Sequence, residues 1–161
     1  MNRVGARDGV ELTDDRIFAH RVRRLVAISA VALGVITWLA WRADGPSWSI
    51  MLLTAGWVLM PTVLAISLRR PLARYALVVP ASLVIVGLWG MVTTATDTEL
   101  LGWGLVLAGI LLGGTLGMVF WYRWLSVPRR FNDPFGPARM ALVAIHIGLV
   151  LVGAAIVFNA T

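Results

Sequence analysis

The chain has 161 residues, of which 59% are hydrophobic and only 14% charged, with a mean hydropathy of +0.84 and a net charge of +6. Soluble domains carry about 25% charged residues, so this balance excludes an ordinary soluble fold and points to an all-α integral membrane protein. Cysteine is absent and all 14 basic residues are arginine, which excludes disulfides, thiolate metal sites, Fe–S clusters, covalent haem attachment and lysine Schiff-base chemistry.

Residues 1–20 read as a cytoplasmic tail, and 21–161 as a transmembrane domain. About the first ten residues are expected to be mobile. From Thr13, an N-cap candidate followed by Asp14 and Asp15, a short helix is predicted to run along the inner membrane surface into the first span.

Crossing a bilayer takes about 20 mostly apolar residues. Five runs reach or approach that length, at 24–41, 48–68, 74–94, 100–124 and 139–158, and predict a five-transmembrane-helix bundle. The first run follows Arg21, Arg23 and Arg24 as the core of a signal peptide would. It ends in Trp41, Arg42 and Ala43, without a small-x-small cleavage pattern, and so reads as a retained helix.

Arginine retains its loops on the cytoplasmic side during insertion. Five spans with the N-terminus inside put Arg69, Arg70 and Arg74 in one cytoplasmic turn and Arg123, Arg129, Arg130 and Arg139 in the other, leaving Arg42 alone outside. The expected arrangement is a plasma (inner) membrane protein with its N-terminus cytoplasmic and its C-terminus outside. The same arginines face anionic lipid headgroups, and no nucleic-acid partner is implied. Most tryptophans fit an interfacial belt: Trp38, Trp41, Trp48, Trp89 and Trp103 towards the outer surface, and Trp121 and Trp124 towards the inner one. Trp57 lies deeper, within the second run.

Pro61 and Pro80 interrupt the second and third runs and predict kinks, each freeing a backbone carbonyl that Thr62 or Ser82 is near enough to serve. In the fourth run Gly109, Gly113 and Gly117 recur every four residues, with Gly102 on nearly the same face, the spacing that lets membrane helices approach closely. Ala144 and Gly148 in the fifth run, Gly87 and Gly90 in the third and Ala30 and Gly34 in the first are the candidate packing partners, either within the bundle or against another subunit. The turns "RRPLARYALVV" and "RRFNDPFGPARMALVA" share a doubled arginine, a proline and an Ala-Arg-x-Ala-Leu-Val ending, which suggests two parallel hairpin copies.

His146 is the one ionisable residue deep within a run. It reads either as a neutral histidine bonded to a backbone carbonyl or as a ligand to haem b or a quinone. No catalytic set, metal-spaced cluster or phosphate-binding glycine loop is present in the sequence. The leading expectation is therefore a non-enzymatic accessory or structural subunit that meets other membrane subunits or itself. A small oligomeric transporter or channel for a neutral solute, resting on Pro61 and Pro80, is the alternative, and a haem or quinone protein using His146 is the third.

Overall fold

The computed structural model describes residues 5–115 and 137–161, with the side chains of α1 described from Arg23 onward except Leu25. Gly117, Arg129, Arg130 and most of the turn around them lie outside the described residues. All regular structure among the described residues is helical: α1 Gly5–Arg42, α2 Ser47–Arg69, α3 Val78–Thr94, α4 Asp97–Gly109 and α5 Pro137–Ala160. A 3-10 stretch, Pro71–Leu77, leads into α3, and a π-helical stretch, Ile110–Thr115, continues α4. Three helical segments are long and apolar enough to cross a membrane: Ser47–Ser67, Leu72–Thr94 and Pro137–Ala160.

In α1 only Val26–Arg42 is apolar, yet the helix is continuous from Gly5. A start near Thr13 is thus replaced by one two turns earlier. The segment contains no proline, and extending an existing helix costs no new nucleation. At the other end the chain leaves α1 through a Schellman turn. Gly45 donates its N–H to the Ala40 carbonyl at 3.2 Å and Asp44 donates to the Trp41 carbonyl at 3.3 Å. Asp44, with φ of 47°, takes the left-handed position usually given to glycine. A Cβ at Gly45, the next residue, would meet the flexible end of the Met91 side chain and lie 3.2 Å from the Ala40 carbonyl oxygen.

Contacts between successive helices fix an up-and-down arrangement. Along α2, Ser49, Leu53 and Gly56 meet Gly90, Gly87 and Val84 of α3, so one index falls as the other rises. Along α4, Gly102, Gly109 and Gly113 meet Val157, Val150 and His146 of α5 in the same antiparallel sense. The last helix returns to the first, where the Trp38 and Phe158 rings lie 6.2 Å apart. All five helices supply the core: Leu33, Ile36, Leu39 and Ala40; Leu53; Val84, Leu88 and Met91; Trp103, Val106 and Leu107; and Val157. The spacing of the α1 group, three or four residues, is the apolar stripe of a helix facing its neighbours.

Thr96 begins α4 with a capping box in which its side chain takes the N3 amide and Glu99 reaches back to the Thr96 N–H. Thr96→Ala is expected to cost about 1 kcal/mol, measured by reversible unfolding in mixed micelles. Loss of the cap frays the helix that carries the glycines described next.

Candidate functional site

Gly102, Gly109 and Gly113 share one face of α4 and its π-helical extension because intervals of seven and four residues return close to the same angle on a helix. That face is turned onto α5. A Cβ at Gly102 would come within 2.7 Å of Val157 Cγ2 and 3.0 Å of the Gly153 carbonyl oxygen. One at Gly109 would come within 2.8 Å of Val150 Cγ2 and 3.2 Å of the His146 carbonyl oxygen. One at Gly113 would overlap the Cβ and Cγ of His146. The glycines are notches, and Val157, Val150 and His146 fill them.

Ala144 and Gly148 are not part of this seam. Ala144 is exposed, and a Cβ at Gly148 would meet nothing within 4 Å. They lie on the outward side of α5, where Ile145, Ile147, Leu151 and Val152 are also exposed. The inward side of α5 carries small residues of its own, the half-buried Ala154 and Gly153, where a Cβ would come within 2.5 Å of the Gly102 carbonyl oxygen and 2.8 Å of the Val106 nitrogen.

His146 Nδ1 lies 2.7 Å from the Gly109 carbonyl oxygen. A carbonyl can only accept, so the proton is on Nδ1, and in the neutral ring Nε2 is the unprotonated nitrogen. The backbone ladder of α4 changes from α to π immediately after Gly109. A side-chain donor entering a helix ladder is one of the recognised causes of such irregularity, and π turns recur at functional sites. The hydroxyl of Thr115, in the same π stretch, is buried and has no hydrogen-bond partner among the described residues.

A second interhelical polar contact joins α1 and α2. The Trp57 indole donates from Nε1 to the Ala30 carbonyl of α1 at 2.8 Å, and its ring lies over Gly34. From the level where Trp38 and Arg42 meet Phe158, Ala30 lies roughly 12–18 Å and His146 roughly 18 Å down their helices. Trp57→Phe removes this interhelical bond while retaining a ring, and is expected to cost about 1 kcal/mol. Thermal unfolding in detergent is the check.

Both prolines sit near this depth but in different settings. Helix α2 continues through Pro61, and Thr62 donates to the Val58 carbonyl at 2.9 Å, one residue beyond the Trp57 carbonyl that Pro61 leaves without its donor. Pro80 is buried in the first turn of α3, where the winding changes from 3-10 to α, and its carbonyl would lie 3.4 Å from a Cβ at Gly56. Ser82 is exposed. Of the arginines, Arg70 is exposed, Arg74 and Arg139 are half-buried, and Arg69 ends α2.

Trp103 departs most from the interfacial placement. It is 1% exposed, in the core beside Val106, and its Nε1 has no hydrogen-bond acceptor among the described residues. Its neighbours along the helix explain this: Gly102, Val106, Leu107 and Gly109 are all buried, so residue 103 turns inward whatever its level. Among the described residues no group of three His, Asp or Glu side chains could hold a metal ion.

Comparison with protein-family models, with curated proteins and with solved structures found no match. The functional reading therefore rests on the arrangement of these residues.

Proposed function

We propose that this chain is a five-span plasma-membrane protein with its N-terminus cytoplasmic and its C-terminus outside, acting as a non-enzymatic accessory subunit that seats another membrane helix on the outward face of α5. The observation that carries the reading is the open space at Gly148, flanked by exposed Ala144. Small residues facing outward are what a membrane helix offers to a second helix, since close backbone approach replaces the missing hydrophobic drive. Gly102, Gly109 and Gly113 cannot serve that purpose because α5 already fills them, while Gly104, like Gly148, meets nothing within 4 Å. The orientation is supported by the arginine distribution, with Arg42 alone on the outer side.

Native mass spectrometry from mild detergent tests the role. A stoichiometric second polypeptide or second copy is expected, and it should be lost with Gly148→Leu, a change the open space accommodates within the fold. A chain that is monomeric before and after the substitution would overturn the proposal. For orientation, an alkaline phosphatase fused after Thr161 should be active, and an inactive fusion would reverse the assignment.

The histidine supports a second reading, haem ligation by His146. Ligating histidines characteristically donate their other ring N–H to a carbonyl or carboxylate, and the Nδ1 contact with Gly109 supplies that bond. The same tautomer leaves no donor at Nε2, so it suits an iron or a quinol hydroxyl better than a quinone carbonyl. Haem added to the purified protein should give a Soret band that is lost with His146→Ala. An identical spectrum from the variant would remove this reading.

A further inference from the structure

The outward face of α1 carries a groove of about 400 Å³ lined by Ala30, Val31, Gly34, Val35, Trp38 and, from α2, Trp57. Its lining is almost wholly apolar, and it is a shallow depression open along the helix surface. Small residues at Ala30 and Gly34 create the depression, and the Trp57 bond to the Ala30 carbonyl holds one wall upright. Residues 30, 34, 38 and 42 are spaced four apart, so the groove leads along one stripe of α1 to Arg42 at the helix end.

Arg42 is held in an unusual way. Its guanidinium carbon lies 4.6 Å from the centre of the Phe158 ring and 5.7 Å from that of Trp38. The cation is steadied by aromatic faces, and neither it nor Asp44 makes an ion pair among the described residues. A guanidinium stacked on its flat face keeps its N–H groups along the edge, the geometry that takes two oxygens of a phosphate. An apolar channel that ends in such a cation has the polarity of an anionic amphiphile.

We propose that this face binds an anionic phospholipid, with an acyl chain lying along Ala30, Gly34, Trp38 and Trp57 and the phosphate at Arg42. The lipid belongs to the outer leaflet if Arg42 is on the outer side, so the assignment rests on the membrane reading above. It gives the one outer arginine a role distinct from topology, and uses a charge at the opposite end of the bundle from the cytoplasmic cluster.

Bromolipid quenching of Trp57 tests it in reconstituted vesicles, with the Trp57 signal taken as the difference between the wild type and Trp57→Phe. At equal mole fraction, brominated phosphatidylglycerol should occupy the groove with about fivefold preference over brominated phosphatidylcholine, the size one arginine supplies at a membrane surface. Arg42→Gln should bring the ratio to about one while quenching by phosphatidylcholine persists, and Arg42→Lys should restore much of the preference by charge alone. Equal quenching by the two lipids in the wild type, or an undiminished preference in Arg42→Gln with unchanged helix content, would sink the lipid site and leave the membrane assignment standing. Absence of quenching by either lipid would overturn both.

Discussion

Gly153→Ala should destabilise the bundle by about 1–3 kcal/mol, the usual cost of forcing extra volume into a packed contact, although it adds a single methyl group. The new Cβ would come within 2.5 Å of the Gly102 carbonyl oxygen and 2.8 Å of the Val106 nitrogen. Both are backbone atoms, so no rotamer change can make room and α4 and α5 must move apart. The contact is reciprocal, because a Cβ at Gly102 would sit 3.0 Å from the Gly153 carbonyl oxygen. At this level the two backbones touch, and Cα–H groups face carbonyls across the gap. Separation here would loosen the Val157 and Val150 contacts on either side. Gly148→Ala, five residues earlier on the same helix, meets open space and should change stability by no more than about 0.5 kcal/mol in the isolated chain. Reversible unfolding of both variants in mixed micelles makes the comparison, and equal stabilities would mean that α4 and α5 are not in backbone contact. The pair also separates internal packing from partner binding, since Gly148 is the position proposed to meet another subunit.

The glycine repeat of α4 could be read directly because the absence of a side chain is a property of one helix. Its complement on α5 could not be read by the same rule. Matching small residues with small residues offers Ala144 and Gly148 as the candidates on α5, whereas three of the notches are filled by larger side chains, Val157, Val150 and His146. Which face of α5 turns inward depends on how much volume each notch admits and on the rotation that seats all of them together, and spacing alone carries neither. Trp103 illustrates the same limit: its level along the chain fits an interfacial belt, but its angle on α4, beside Gly102 and Val106, sends it into the core. The Asp44–Gly45 turn is a third case. Local preference would give the left-handed position to glycine, yet it falls on Asp44, one residue before Gly45. The apolar runs that became α2, α3 and α5 were legible because burial in lipid is decided residue by residue, whereas pairing is decided between helices.

The tightest of these pairings, Gly113 with His146, should show energetic coupling. Gly113→Ala alone is expected to cost about 1–3 kcal/mol. The atoms its Cβ would overlap include the Cβ and Cγ of His146, which rotation about χ2 cannot withdraw. His146→Ala alone should cost about 2 kcal/mol, through loss of the Nδ1 bond to Gly109 and the void left over Gly113. In the double variant the overlap with the imidazole is relieved, while that with the Cβ, which alanine at 146 retains, is not. The second substitution then costs less than it does alone, giving a coupling of about 1 kcal/mol between positions 113 and 146. A cycle measured by unfolding in mixed micelles checks this, with additive losses counting against the notch. The hydrogen bond makes a separate contribution that His146→Leu isolates, because leucine fills much of the space without donating to Gly109. If the side-chain donor causes the change in winding, hydrogen exchange of the amides at 110–115 should differ between His146→Leu and the wild type. Unchanged exchange would assign the π stretch to the glycines themselves. The two measurements thus divide the role of His146 between its volume, read by the coupling with Gly113, and its donor, read by the ladder it enters.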